Sequence, residues 1–352
     1  MRILLLPFSI LYGVIVFVRN KMFDWRLLKE QSFSTFIVSI GNLSAGGTGK
    51  SPHVIWLIEK LKSEFNLAVL SRGYGRSSKG FKWVLPTSGA TQVGDEPLQY
   101  ATLFSDITVA VCEKRVEGIQ KMEREKKMQL VILDDAFQHR YVKPDFNILI
   151  TDYAHLFYED FLLPVGRLRE QKSGVKRADV MIVSKSPENL SDSDIAAVSK
   201  KIQSFGVYKI LFSYIRYRES MEFSDGEKMP IAYLRNCHVI LVAGIANPSP
   251  FIEFVKSSAK SMAEFVFDDH HVFTSGEILK IKQSYEQSLN RLNSPIVILT
   301  TRKDWMRLNS SELKHLHQSL PIAVLDIEIG FHERSANLLL TWVKDSINSK
   351  IK

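Results

Sequence analysis

Three groups of residues in this chain are of types and spacings that could do chemistry. The first is the glycine-rich run Ser44-Ala45-Gly46-Gly47-Thr48-Gly49, closed by Lys50 and Ser51. Backbone N–H groups of such a turn cradle phosphates, a lysine reaches the outer phosphates, and a serine hydroxyl can hold Mg²⁺. The usual spacing G-x-x-x-x-G-K-[ST] puts its first glycine at position 44, which is Ser44, and Gly41 comes three residues too early to replace it. The second group is the adjacent pair Asp134-Asp135 at the end of the apolar run Leu130 to Leu133. Neighbouring acids repel one another unless a cation or donor offsets them, and Mg²⁺ held through an acid at a strand end is the usual companion of a phosphate loop. The third group is dispersed: Ser71-Arg72-Gly73-Tyr74-Gly75-Arg76, Gly94-Asp95-Glu96-Pro97, Arg167-Leu168-Arg169-Glu170 and Asp268-Asp269-His270-His271. Arginines flanking glycines can bring guanidinium groups to a phosphate or carboxylate. A histidine oriented by a carboxylate can handle a proton. Each of the four also has a plainer reading, as a basic surface loop, a helix cap or a polar loop. For Asp95 the local pattern favours the cap.

These residues need elements to position them. Phe36 to Ile40 is a short, β-branched apolar run that reads as a buried strand entering the phosphate loop, and Pro52 suits the first turn of the helix after it. Further strands are expected at Leu67 to Leu70, Ile107 to Val111, Gln129 to Leu133, Phe146 to Ile150 and Val180 to Val183, alternating with helical segments. That alternation predicts a doubly wound, mostly parallel α/β sheet. The motifs fall just after strands, where open α/β sheets bind ligands. From Lys209 onward a second, smaller α/β unit is expected, with strands at Val239 to Ala243, Glu264 to Phe267, Pro295 to Thr300 and Ile322 to Ile327.

Composition sets the bounds. With 352 residues and 45% hydrophobic content the chain can form two domains, and its two cysteines, Cys112 and Cys237, fit neither a zinc pattern nor a disulfide framework. A formal net charge of +8 suits an acidic partner, whether an anionic membrane, a phosphorylated substrate or a nucleic acid. Ile3 to Val18 carries no charge and is bordered by Arg2, Arg19 and Lys21. As a helix it would span about 24 Å, short of a hydrocarbon core of roughly 30 Å. It is either a buried core helix or a helix lying in or dipping into a bilayer, and its apolarity on every face favours the membrane.

Taken together, G-N-L-S-A-G-G-T-G-K-S-P, S-R-G-Y-G-R, G-D-E-P, D-D-A-F-Q-H-R, L-P-V-G-R-L-R-E, G-I-A-N-P, F-D-D-H-H-V-F and T-R-K-D run in order from about residue 38 to 304. In this order they resemble the tetraacyldisaccharide 4′-kinase family, the lipid A 4′-kinases. That family also carries Ser or Thr at the place of Ser44, and commonly Gly where this chain has Ala136. The resemblance implies a P-loop kinase-type fold with an apolar N-terminal helix (1–30), a nucleotide-binding kinase domain (31–208) and a smaller α/β domain closing over the site (209–352). It implies ATP- and Mg²⁺-dependent phosphorylation of the 4′-hydroxyl of a lipid A precursor disaccharide, at the cytoplasmic face of the bacterial inner membrane, with the N-terminal helix on the membrane surface. No nucleic-acid partner is implied, and the oligomeric state stays unknown. In residues, Ser44 to Ser51 would hold the ATP phosphates, with Ser51 and Asp134 or Asp135 around the metal. Lys50, Asp95 and His270 would carry catalysis, Asp95 near the acceptor hydroxyl and His270 its partner. Arg72, Arg76, Arg167, Arg169 and Glu170 would meet the substrate's phosphate. The other classes open at this point are a membrane-associated P-loop NTPase switch or motor and a non-catalytic nucleotide-binding membrane protein.

Overall fold

The structure, a computed structural model, describes residues 2–269, 271–309, 313–332 and 334–351. Its strands, in chain order, are β1 (Phe36–Asn42), β2 (Leu67–Ser71), β3 (Lys82–Val84), β4 (Thr108–Val111), β5 (Leu130–Asp134), β6 (Phe146–Asp152), β7 (Val180–Ser184) and β8 (Ile210–Tyr217). There follow β9 (Ser220–Phe223), β10 (Lys228–Pro230), β11 (His238–Ala243), β12 (Ser261–Val266), β13 (Ile296–Thr301), β14 (Ile322–Leu325) and β15 (Ile327–Phe331).

Two sheets result. The larger has the order β15-β8-β7-β6-β1-β5-β2-β4-β3, and its seven central strands are parallel. β1 lies between β5 and β6, and every one of its residues is buried. Continuous apolarity rather than alternation is what a strand covered on both faces requires. The smaller sheet has the order β10-β9-β14-β13-β11-β12, with β11 to β14 parallel.

The sheets exchange chain in a way the linear reading did not expect. Ile210–Tyr217, expected to open the second unit, pairs with β7 as part of the larger sheet. The single strand expected at Ile322 to Ile327 is two: β14 ends in the small sheet and β15 returns to pair antiparallel with β8. The switch occurs at Asp326, whose carboxylate accepts bonds from Arg302 at 3.0 and 2.7 Å. A bidentate guanidinium fixes the crossing point. The C-terminal helix, Ser335–Ile351, then buries Leu339, Val343 and Ile347, one turn apart, and packs on β8 and β15.

At the other end, Leu6–Asp24 forms one helix. Its buried residues are Ser9, Gly13 and Phe23, whereas Leu6, Phe8, Ile10, Leu11, Val14, Ile15, Phe17 and Val18 are exposed. The core-helix reading of this segment therefore fails. Phe23 packs on Tyr141 at the far end, and before it small and polar groups face the protein: Ser9 Oγ donates to the Leu162 carbonyl, Tyr12 Oη to the Arg169 carbonyl, and Gln171 Nε2 to the Gly13 carbonyl.

Candidate active site

Strand β1 delivers the phosphate loop to the carboxyl edge of the larger sheet, and helix Lys50–Leu61 follows. Gly49 caps that helix at φ 90°, a conformation that glycine reaches without strain. A Cβ there would also lie 2.8 Å from Ser184 Oγ, so position 49 is closed to larger residues twice over. The loop is tied on both sides. Asn42 Nδ2 donates to Thr48 Oγ1 at 2.7 Å, and the Ala45 N–H to the Arg167 carbonyl at 2.7 Å. Ser44 makes a β-bridge to Leu168, an attachment that replaces the conformational freedom of the missing glycine with a fixed partner. On the inner face of that helix, His53 is fully buried between the Gly49 carbonyl (2.7 Å) and Ser213 Oγ (3.0 Å). Burial pushes its imidazole down to about 4.

β5 brings the paired acids alongside. Asp134 is buried, with its Oδ2 accepting from Ser71 Oγ at 3.3 Å and Tyr100 Oη at 3.2 Å. Burial, then Asp135 and Glu96, raise its carboxyl to about 6. Asp135 takes the left-handed backbone conformation at φ 49° and points to cations: Lys50 Nζ at 3.7 Å and the two terminal nitrogens of Arg169 at 2.8 and 3.1 Å. Burial opposes its ionisation, but Lys50 and then Arg169 outweigh it and lower its pKa. Tyr100 Oη also hydrogen-bonds the Ser51 side chain, which links Ser51 to Asp134, while Asp135 is the acid beside Lys50. Among the described residues no three His, Cys, Asp or Glu side chains form a protein-only metal site. A hydroxyl and two carboxylates instead fit a hard divalent ion that takes its remaining oxygens from phosphate and water.

The smaller sheet meets the larger through helix Arg302–Leu308, which packs on helix Asp95–Leu103. Asp95 opens helix Asp95–Leu103 as its first residue, after Gly94 at the N-cap, and with Glu96 it puts negative charge in the first turn, where the helix dipole favours it. Its carboxylate also lies 3.3 Å from Arg307 Nε, on the helix Arg302–Leu308 that follows β13. Arg307 also donates to the His271 carbonyl at 3.0 Å, and Lys303 lies 3.6 Å from Asp269 and 3.9 Å from Glu96. The D-D-H-H segment and the G-D-E-P segment thus meet through one helix. His270 itself lies outside the described residues. His271 stacks on Phe267 and bonds Glu277, within the capping box of helix Ser275–Arg291.

The five residues expected at the substrate phosphate are not gathered in one place. Arg169 joins Asp135 and Asn42 at the loop. Glu170 is 1% exposed and pairs with Arg177 at 2.8 Å, with Asn20 and Gln138 also donating to it. Arg167 pairs with Asp160 at 3.1 Å on the surface. Arg76 is turned away into its own loop, with Glu113 at 2.6 Å and the Gly80 carbonyl at 2.6 Å. Arg72 is exposed and adds positive potential at Arg115 and His139.

Several residues at the site escaped the sequence reading. Arg115 is buried beneath β5, donates to the Cys112 carbonyl at 2.9 Å, and has its guanidinium lowered to about 10 by burial. Tyr100, Lys185 and Arg307 carry no motif signal of their own. Glu96 sits inside G-D-E-P, and that motif could have flagged it.

Residues 1–344 match the family described as tetraacyldisaccharide-1-P 4′-kinase. A tetraacyldisaccharide 4′-kinase of Bacteroides thetaiotaomicron is 41% identical over 336 residues, covering 91% of this chain and 88% of that protein. One from Flavobacterium johnsoniae is 39% identical, covering 99% of this chain and 98% of that protein. Among solved structures, LpxK from Aquifex aeolicus in complex with ATP superposes with a TM-score of 0.75 at 27% identity, covering 98% of this chain and 99% of that one. With the whole core and every motif inside these matches, the chain belongs to the tetraacyldisaccharide-1-P 4′-kinase family.

Proposed function

We infer that the protein transfers the γ-phosphoryl group of ATP to the 4′-hydroxyl of a tetraacyldisaccharide 1-phosphate, a step of lipid A biosynthesis. Family membership carries the reaction, and one observation carries the assignment of residues. The phosphate loop, Lys50, the paired acids and the helix that begins at Asp95 all belong to the larger sheet, and Lys303 and Arg307 of the smaller sheet pair with Glu96 and Asp95 on that helix. Phosphoryl transfer asks mainly for positioning and charge neutralisation, and this arrangement offers both.

In this reading Ser44 to Ser51 cradle the triphosphate and Lys50 neutralises its outer oxygens. Ser51, Asp134 and Asp135 would hold Mg²⁺, which when bound neutralises charge between the β- and γ-phosphates. Asp95 takes the proton of the acceptor hydroxyl, and His270 orients or tunes it. Arg169, paired with Asp135 beside Lys50, adds positive charge at the transferring end, Arg72 and Arg167 offer charge to the acceptor's own phosphate, and Glu170 holds Arg177 and the segment between them. Arg76 serves its loop rather than the substrate. The unit built on the larger sheet binds nucleotide, and the smaller sheet closes over it. The exposed apolar face of the N-terminal helix lies on the membrane, at the cytoplasmic side of the inner membrane where ATP and the lipid are both within reach.

The test is the Mg²⁺ dependence of transfer in the wild type and in Asp134→Asn. The variant keeps the shape of the side chain and its hydrogen bonds but loses the charge. A drop in turnover of about 10² or more, partly recovered at high Mg²⁺, is expected. An unchanged Mg²⁺ requirement would remove Asp134 from the metal site.

A further inference from the structure

Outside the groups already discussed, one residue is held in an uncommon backbone conformation beside the phosphate loop. Lys185, just beyond the end of β7, has φ 59°. The left-handed region is unfavourable for a side chain with a Cβ, and such a residue persists only where its surroundings over-determine it. Both neighbours are locked. The Ser184 carbonyl accepts from the Tyr153 N–H at 2.9 Å, and Ser184 is fully buried. Ser186 donates through its N–H and its Oγ to the Ser213 carbonyl, each at 3.0 Å, and its Oγ also meets His332 Nε2 at 2.9 Å. Between these anchors, the backbone turn sends the Lys185 side chain over the loop. Its ammonium donates to the Gly47 carbonyl and lies 3.0 Å from Asp152 Oδ2. Asp152 is held in turn by the Ala154 N–H at 2.9 Å.

The position on the sheet gives this arrangement a meaning. β1 has β5 on one side and β6, then β7, on the other. Asp134, Asp135, Tyr100 and Asp95 are all reached from the β5 side. The γ-phosphate must lie there to meet its acceptor, so the nucleoside end of the triphosphate trails over the β6–β7 side. That is where Lys185 and Asp152 stand. A lysine whose ammonium is pinned at both ends of its reach presents its four-carbon stem as a fixed apolar bar. We propose that the Lys185 stem, pinned by Gly47 and Asp152, is the platform on which the base of the nucleoside triphosphate rests. The proposal builds on the phosphate-loop reading and adds the half of the ligand that the loop does not touch. Asp152 is a positioning residue here, not a ligand contact.

Lys185→Gly is the informative variant, because glycine adopts φ 59° without strain and the fold should hold. Binding of ATP and of inorganic tripolyphosphate, both with Mg²⁺, is measured calorimetrically for the wild type, Lys185→Gly and Lys50→Ala, alongside thermal unfolding. Lys185→Gly is expected to weaken ATP about tenfold or more, to change tripolyphosphate by no more than about threefold, and not to lower the unfolding midpoint. Equal losses for the two ligands would make Lys185 a loop tether only, and an unchanged ATP affinity would dismiss it altogether; both overturn the platform. Tripolyphosphate binding that survives Lys50→Ala would overturn the phosphate-loop reading itself, and the platform with it.

Discussion

Among the described residues the ion pair of Lys50 is with Asp135 at 3.7 Å, and that acid keeps Arg169 when the lysine is gone. Lys50→Ala is therefore expected to leave the unfolding midpoint near that of the wild type while lowering turnover by about 10³ or more. Turnover and melting measured on one preparation decide this, and near-normal activity would refute it. His53 gives a second expectation. Its imidazole titrates near 4 in the fold, because burial disfavours the charged form, against 6.5 when unfolded. As pH falls through 6.5 the unfolded chain takes the proton first, so stability drops between pH 6.5 and 4, by on the order of 3 kcal/mol in full. Asp134, raised to about 6, works in the opposite direction, so the comparison needs a variant. The stability gap between wild type and His53→Gln, from denaturant unfolding, is expected to narrow from pH 7 to 4.5. A constant gap would show that His53 does not titrate this way. At this scale, legibility followed sequence distance. Lys50, Ser51 and Asp134-Asp135 could be read because neighbours in the chain are neighbours in the site. Arg307 could not, since its partner Asp95 is over two hundred positions away. Lys185 could not either, since a positive φ leaves no mark in residue types.

Among the elements, the N-terminal helix departs furthest from an ordinary amphipathic one. Apart from Phe23, which packs on Tyr141, its attachment is polar, through Ser9, Tyr12, Arg19, Asn20 and the Gly13 carbonyl, to the segments that carry Gln138 and Leu162 to Gln171. Gly13 lets the helix approach closely there, since a Cβ would come 2.9 Å from Leu162 Cδ1 and that side chain would have to shift. The outward face stays apolar, with Ile10, Val14 and Phe17 exposed by 60, 53 and 50%. It is the one helix, among the described residues, long and apolar enough to cross a membrane. Exposed apolar surface of this extent marks a membrane or partner surface. Changing Ile10, Val14 and Phe17 together to Ser is expected to lower co-sedimentation with anionic vesicles by about tenfold or more, with the melting temperature unchanged. Retained vesicle binding would move the membrane contact elsewhere, and a large loss of stability would return the helix to the core. Apolarity of this segment was plain in the sequence. Which way the apolar side chains face was not, because that depends on the Leu162–Gln171 segment some 150 residues on. The same limit hid the split of the final strand, where Arg302 fixes Asp326 and turns Ile327–Phe331 back to the larger sheet.

For the whole molecule, the proposed site draws on both sheets. The larger carries loop, acids and Asp95; the smaller carries Lys303 and Arg307, which contact Asp269 and the His271 carbonyl. If Asp95 and His270 act as one unit, Asp95→Ala and His270→Ala should each lower turnover strongly, and the double variant should lose little more than either. Fully multiplicative losses would mean independent roles. The doubly wound architecture itself was readable from the alternation of apolar runs, since parallel strands must be covered on both faces. How the second sheet sits over the first was not, being set by contacts such as Arg307 with Asp95. The account as a whole stands on transfer between two bound substrates. The measurement is the fate of γ-labelled phosphate with the wild-type protein, ATP, Mg²⁺ and a tetraacyldisaccharide 1-phosphate in mixed micelles. One label on the 4′-position of the disaccharide for each ADP formed, with little ATP turnover when the lipid is left out, is the predicted result. Label released as free phosphate at the same rate with or without the lipid would contradict it.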